Sequence, residues 1–318
     1  ERRSKVAGRI WGMSRLGDAA AQVPLCTLAI LVVCCAVQLW QFLFEPLITN
    51  YTMVALQVIY LQEYYRILTS AVLHGGLMHI VFNMMSTLTI GAGLERALGT
   101  LSLAFIVLWS IVICGLVYIA MEWTMTVVIT GDASYLNQHA VGFSCVIFTL
   151  ALMESYLSSE PTRSVMGFFS VPTKWYPWVL MVLISVVVPG VSAAGHLAGL
   201  LVGMMHVTGL TRPLLPSNAF YTEMEKWPGV QALARQPNFC TCPPPSTDTS
   251  AELSARAALA SICAGVASAV TAVWWVLATV LNVFGLYTPP AHGPGDDEAG
   301  LGLQDWGGQD GGMGPGDW

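Results

Sequence analysis

The sequence predicts an all-α, polytopic membrane protein with a six-helix core and a seventh transmembrane helix near the C-terminus. Of its 318 residues, 55% are hydrophobic and only 10% are charged, whereas a soluble domain carries about 25% charged residues. Apolar runs long enough to cross the hydrocarbon layer of a bilayer recur along the chain. They are 23–44, 77–94, 101–123, 140–157, 175–188, 191–210 and 257–284. We refer to the first six as spans 1 to 6.

Composition divides the chain into five segments. Residues 1–22 form a basic arm, 23–210 hold the six spans, and the proline-rich 211–256 is expected to be a linker without globular structure. The run 257–284 is predicted to cross the membrane again. The acidic, glycine-rich tail 285–318 has no basic residue and is expected to be disordered, because it has too few apolar residues to bury a core. Span 1 is too long for a cleaved signal peptide and is predicted to stay as a helix.

Charge predicts the orientation. The basic arm before span 1 places the N-terminus in the cytosol by the positive-inside rule. With six alternating spans, Arg66 is the one residue among the 13 lysines and arginines that falls on the lumenal side. It lies beside tyrosines in the long loop 45–73. Arg66 is therefore either an interfacial anchor or the residue that pins a folded loop at the membrane surface.

The cysteines do not form a disulfide framework or a zinc site. Cys240 and Cys242 lack a second pair of ligands nearby, so no metal and no cofactor is expected. The others lie in apolar runs, where cysteine behaves as a small hydrophobic residue. These are Cys26, Cys34, Cys35, Cys114, Cys145 and Cys263.

Polar side chains cluster near the start of span 2. His79 and Asn83 are four residues apart, so they project from one face of a helix, with His74 at its rim. Polar groups within a span are costly and usually face partners in the protein interior. Two histidines and an amide on one side therefore favour a functional site over simple packing.

Spans 4 and 6 carry further polar residues. Ser144 follows Gly142 at the start of a helix, which taken alone is more typical of close helix packing. His196 precedes Gly199 and Gly203, whose spacing lets two helices approach closely. Spans 2, 4 and 6 all run inward from the lumenal side, so their polar residues share a depth. An alcohol, an imidazole and oxyanion donors are what nucleophilic hydrolysis requires.

Several motifs occur in a fixed order over residues 63–210. They are Glu63-Tyr-Tyr65-Arg66, His74-x4-His79-x3-Asn83, Leu94-Glu95-Arg96-x2-Gly99, Gly142-Phe-Ser144 and Gly195-His196-x2-Gly199-x3-Gly203. Together they resemble those of the rhomboid intramembrane serine proteases. The run 194–199 and the preceding Pro189-Gly190 are most similar to the endoplasmic-reticulum branch that handles ubiquitinated membrane proteins. The resemblance implies membrane-protein substrates, single-span or polytopic, the lipid bilayer and degradation machinery as partners, and no nucleic acid.

The resemblance also implies a role for each matching residue. Ser144 would attack the scissile carbonyl and His196 would take its proton, as a dyad without an aspartate. The oxyanion would be stabilised by Asn83, His79 and the Ser144 backbone N–H. Site support would come from His74, Gly142 and Phe148, and structural packing from Gly199, Gly203, Arg66 and Glu95.

Three departures from the family pattern are visible. Phe148 stands where members often have tyrosine, so a ring contact with His196 is kept and a hydroxyl is lost. Tyr65 replaces the usual tryptophan before Arg66. Cys145 replaces the usual glycine after the serine, and its side chain is expected to narrow the pocket or crowd the oxyanion.

Two other functions stay open. A catalytically inactive rhomboid would bind transmembrane clients and deliver them for degradation; Cys145 allows this reading, whereas retention of both Ser144 and His196 favours proteolysis. A channel or transporter would account for polar residues inside spans. The sequence shows no paired acidic residues, inverted repeat or pore-like ring of charges to support it.

Overall fold

Six apolar helices form the core of the protein. The computed structural model describes residues 22–45 and 47–244. In chain order the helices are α1 (Leu25–Phe44), α2 (Ala55–Tyr60), α3 (Arg66–Val72), α4 (Leu77–Ser86), α5 (Ala92–Leu98), α6 (Thr100–Thr124), α7 (Ser144–Leu157), α8 (Tyr176–Val187), α9 (Ala193–Val207), α10 (Asn218–Met224) and α11 (Pro228–Ala234). The π-helical turn Thr87–Gly91 joins α4 to α5, and another, Met125–Thr130, extends α6. The predicted all-α, polytopic class is confirmed.

The spans correspond to α1, the continuous helix α4–α5, and then α6, α7, α8 and α9. The first three are long and apolar enough to cross a membrane, whereas the last three have 10 to 17 residues. Between spans 4 and 5 the chain adds a small antiparallel hairpin, β1 (Thr162–Val165) and β2 (Phe169–Pro172), that the sequence analysis did not predict.

Span 4 is short and lies at the centre of the bundle. Its 14 residues extend about 21 Å at 1.5 Å per residue, which is less than the roughly 30 Å hydrocarbon layer. Residues 146–153 are all buried. The predicted run 140–157 begins too early, because Ala140 pairs with Met53 in a β-bridge before the helix begins. The chain therefore enters the bundle as an extended segment, and Ser144 is the first residue of the helix.

Arg66 pins the first loop. Its side chain is 3% exposed, and it donates hydrogen bonds to the backbone oxygens of Thr49 and Thr52, each 2.8 Å long, and to Glu63. The Tyr65 hydroxyl donates to the Asn50 carbonyl oxygen. Of the two readings offered for Arg66, the structure supports the folded loop, since an interfacial anchor would not be buried in this way.

Glu95 joins spans 1, 2 and 3 at the end of the bundle opposite Ser144. It is fully buried and accepts hydrogen bonds from the backbone N–H groups of Cys26 and Thr27 at 2.8 Å. The hydroxyls of Thr27 and Thr100 donate to it at 2.7 Å. A carboxylate at the N-terminus of span 1 satisfies N–H groups that have no partner within the helix.

The prediction of a linker without globular structure at 211–256 is wrong for residues up to 244. This segment contains α10 and α11 and then packs against the core. The backbone N–H of Thr100 donates to the Cys240 carbonyl oxygen at 2.7 Å. The backbone N–H of Leu25 donates to the Asn238 carbonyl oxygen at 2.9 Å. The prolines suggested an open chain, but their neighbours supply backbone groups that close the ends of spans 1 and 3.

Other predictions concern residues outside those that the structure describes. They are the basic arm up to residue 21, the rest of the linker, the seventh transmembrane helix at 257–284 and the acidic tail at 285–318.

Candidate active site

Ser144 and His196 meet between spans 4 and 6. The Ser144 Oγ and the His196 Nε2 are 3.1 Å apart, although the residues are separated by 52 positions in sequence. His196 is buried and Ser144 is half-buried. This distance allows a hydrogen bond through which a proton can pass from the alcohol to the imidazole.

The first turn of span 6 fixes the backbone of His196. The hydroxyl of Ser192 caps the helix by accepting the Gly195 N–H at 3.1 Å, and the Ser192 carbonyl oxygen accepts the His196 N–H at 3.1 Å. A serine at this position is a common helix-start signal. It was present in the sequence and was not used in the prediction.

Phe148 holds the imidazole from the side. Its ring centroid is 4.7 Å from that of His196, with 41° between the planes, so the two rings are in contact. The His196 Nδ1 is buried and has no hydrogen-bond partner within the described part of the chain. Among the described residues, therefore, no carboxylate is bonded to the histidine on the side away from Ser144.

His79 lies against the turn that leads into Ser144. Its Nδ1 accepts the Gly75 N–H at 3.3 Å, so a neutral ring carries its proton on Nε2. A β-carbon built on Gly142 would be 2.7 Å from that Nε2 and 3.8 Å from the Ser144 Oγ. Gly142 also has φ +115°, a conformation that side chains rarely adopt. Glycine is thus needed there for two reasons, its backbone conformation and the lack of space for a side chain. Its absence of a side chain lets the His79 Nε2–H approach the turn that leads into Ser144.

Asn83 and His74 complete the cluster on span 2. Asn83 is buried and donates one side-chain N–H to the His79 carbonyl oxygen at 2.9 Å. His74 is 1% exposed, and its ring centroid is 5.2 Å from that of His79. The side-chain amide of Gln41 in span 1 pairs with the backbone N–H and C=O of His74. Nothing in the sequence marked Gln41 for this role.

Two glycines let span 6 contact span 4. A β-carbon on Gly199 would overlap the Cys145 carbonyl oxygen, and one on Gly203 would be 2.9 Å from the Leu152 Cβ. The hydroxyl of Thr149 donates to the Gly199 carbonyl oxygen at 2.9 Å. Both glycines therefore lie where span 6 approaches span 4 most closely, and the Thr149 bond was missed in the sequence-based prediction.

A mainly apolar cavity opens beside Ser144. Its wall includes Met53, Ile67, Ala71, Cys114, Tyr118 and Cys145. Cys145 of span 4 and Cys114 of span 3 both line it. The residue that replaces the usual glycine therefore forms part of the pocket wall, as expected for a side chain that narrows it.

The part of the chain that contains this site is similar to known proteins. Residues 61–213 match the family model of the Rhomboid domain. The chain therefore contains a rhomboid domain. It is 30% identical over 240 residues to Rhomboid-like protein 15 of Arabidopsis thaliana, an alignment that covers 72% of this chain and 57% of the relative. It is 33% identical over 200 residues to Rhomboid-related protein 4 of Mus musculus, covering 62% of this chain and 61% of that protein.

Some of the relatives are named as proteases. Rhomboid-type serine protease 2 of Gibberella zeae is 28% identical over 155 residues, covering 48% of this chain and 55% of that protein. This rhomboid spans about three fifths of the length of the first two relatives. Membership shows a multi-pass membrane protein of a family that contains serine proteases.

Proposed function

We propose that this rhomboid is an intramembrane serine endopeptidase that cleaves membrane-protein substrates with a Ser144–His196 dyad. The observation that carries the proposal is the 3.1 Å separation of the Ser144 Oγ and the His196 Nε2. His196 accepts the hydroxyl proton as the oxygen attacks the scissile carbonyl, and then returns it to the leaving amine. Water hydrolyses the resulting ester by the same proton transfers in reverse order.

Three donors are assigned to the oxyanion. The His79 Nε2–H lies at the Gly142 turn, the Ser144 N–H is at the first position of a helix, and Asn83 keeps a second side-chain N–H after bonding to His79. Groups at a helix N-terminus also favour negative charge. Loss of one such donor typically costs about 2.7–4 kcal/mol of transition-state stabilisation.

The short central span explains how hydrolysis is possible in a membrane. Because span 4 begins at Ser144, the nucleophile lies near one boundary and below an extended segment rather than at mid-bilayer. A substrate helix must unwind at the lateral edge of the bundle so that its backbone reaches the dyad. The apolar cavity next to Ser144 then receives a side chain beside the scissile bond.

The cellular setting is part of the same proposal. The similarity of residues 189–199 to the endoplasmic-reticulum branch and the match to Rhomboid-related protein 4 support that membrane and a role in membrane-protein quality control. The basic arm supports a cytosolic N-terminus. Degradation machinery would be the partner that receives the fragments.

The test is cleavage of a co-expressed single-span substrate. Ser144→Ala and His196→Ala should each abolish cleavage, while Ser134→Ala on an exposed turn should leave it unchanged. Thermal unfolding in detergent checks that every variant is folded. Cleavage that persists in both dyad variants would contradict the mechanism.

An inactive, client-binding rhomboid is the second candidate, and the Cys145 side chain in the pocket wall is the observation that favours it. Reaction of purified protein with a fluorophosphonate separates the two functions. Labelling of wild type that is absent from Ser144→Ala supports the protease. Folded wild-type protein that remains unlabelled supports the binding protein.

A further inference from the structure

The hairpin between spans 4 and 5 is fixed firmly to the end of the bundle opposite Ser144. Arg163 in β1 forms two hydrogen bonds, of 2.6 and 2.8 Å, with the Glu154 carboxylate near the end of span 4. Across the base, the Thr173 hydroxyl donates to the Glu160 carbonyl oxygen at 2.6 Å. Val165 is fully buried. The hairpin is therefore a defined structural element and not a free loop.

Its two faces differ in polarity. The register pairs Val165 with Phe169 and Ser164 with Ser170, and successive side chains of a strand point to opposite faces. Val165 and Phe169 lie on one face, together with Arg163, whose charge is paired with Glu154, whereas both serines lie on the other face and are exposed. This alternation is typical of a hairpin with one face in water and one in an apolar environment.

The tip of the hairpin is apolar, and no other part of the described chain covers it. Phe168 is 86% exposed, Met166 is 69% exposed and Phe169 is 51% exposed. Three residues, 166–168, join the strands, and Met166 and Gly167 both have positive φ, at 49° and 83°, as tight hairpin turns often require. The turn holds the three apolar side chains together, away from the packed core.

The tip lies within reach of the bilayer boundary. Span 4 ends at Leu157, which is 60% exposed, and Trp175, 51% exposed, comes just before span 5. Two strands of four residues extend only about 13 Å at 3.3 Å per residue. Nearby, the Lys174 Nζ lies 5.2 Å from the Tyr156 ring centroid, and the Arg163 guanidinium 5.3 Å from that of Tyr176. Aromatic and basic residues arranged in this way mark the membrane interface.

We propose that the tip Met166–Phe169 inserts into the phospholipid leaflet on the side of the membrane opposite the active site. Leu157 and Trp175, the exposed apolar residues at the adjoining ends of spans 4 and 5, belong to the same side of the bundle as the tip, so one leaflet can cover them all. The charge of Arg163 is neutralised by Glu154, and the side chains Met166, Phe168 and Phe169 that would enter the lipid are apolar. Insertion therefore does not need anionic lipid. The hairpin would fix the depth and tilt of spans 4 and 5.

Photo-crosslinking in proteoliposomes tests the inference. We would introduce p-benzoylphenylalanine in place of Phe168, and in place of Ser164 on the polar face as the matched control. Both sites are exposed, so both proteins should keep the unfolding temperature of wild type. Phospholipid adducts, detected by mass spectrometry, should be severalfold more abundant at position 168 than at 164 in pure phosphatidylcholine.

Two results would overturn the inference. One is an equal or absent yield of lipid adducts at the two positions. The other is a predominance of protein adducts at position 168 in native membranes, since this would show that a client or another protein covers the tip. Neither measurement depends on catalysis, so failure of the proposed protease activity would be seen separately.

Discussion

Gly199 of span 6 lies directly against the backbone carbonyl of Cys145 in span 4, with no room for a β-carbon. Cys145 follows Ser144, and Gly199 lies one turn after His196. The contact therefore sets the distance between the two helices at the level of the dyad. Because the neighbour is backbone, it cannot move aside as a flexible side chain would.

Gly199→Ala should push spans 4 and 6 apart. We expect a loss of about 1–3 kcal/mol of stability from overpacking and about a 100-fold slower reaction with fluorophosphonate, since a displacement of 1 Å can cost that much. The control is Gly93→Ala, where a β-carbon would meet nothing within 4 Å. Similar labelling rates in the two variants would show that the close approach does not position the dyad.

Gly142→Ala should displace His79. The added β-carbon would lie 2.7 Å from the imidazole, and the backbone has φ +115°. Gly131→Ala is the control for conformation alone, because its φ is +73° and nothing lies within 4 Å. Strain of this kind costs about 1–3 kcal/mol, so both variants should unfold at lower temperature. Only Gly142→Ala should also lose most cleavage activity, and equal activity in both would argue against His79 at the oxyanion.

Cys145→Gly should widen the cavity beside Ser144. Cys145 forms part of the cavity wall, so removal of its side chain should speed labelling by a bulky fluorophosphonate more than by a small one. Glycine in a helix costs about 1 kcal/mol, and the unfolding temperature should fall slightly. Cys145→Ser keeps a similar volume and should keep the wild-type ratio of the two rates. An unchanged ratio in Cys145→Gly would mean that the side chain does not limit the pocket.

Glu95→Gln should destabilise the end of the bundle away from the dyad. The carboxylate accepts four hydrogen bonds while fully buried, and the amide would present a donor to groups that already donate. Hydrogen bonds to charged groups contribute about 1.5–3 kcal/mol each, so the unfolding temperature should fall clearly. Glu223→Gln, in an exposed pair with Lys226, should cost less than about 1 kcal/mol. A similar small effect at Glu95 would contradict its structural role.

The polar residues of the site were predictable because a membrane makes them conspicuous. A histidine or an amide in a span is costly unless it has a function or a partner, so His79, Asn83 and His196 stood out against an apolar background. Ser144 by itself carried little information, since serine is common in packed helices. Its importance followed from the other clusters at the same depth.

Other features depend on pairings that lie far apart in sequence. The hairpin at 162–172 is too short for a strong alternation signal, and the close packing of residues 238–242 depends on backbone groups of spans 1 and 3. The side-chain amide of Gln41 forms hydrogen bonds with the backbone C=O and N–H of His74. Nearly every residue type carries the same backbone N–H and C=O groups, so the sequence does not indicate which of them form these contacts.

The sequence by itself determined the six spans and predicted that the polar residues of spans 2, 4 and 6 share a depth, because hydrophobic length and the cost of buried polar groups depend on residue type alone. Tertiary structure decided that the Ser144 Oγ comes within 3.1 Å of the His196 Nε2 and that the His79 Nε2 faces the Gly142 turn. Those distances depend on how closely the helices approach each other. The approach is set by the fit between the surfaces of two helices and cannot be read from either helix alone.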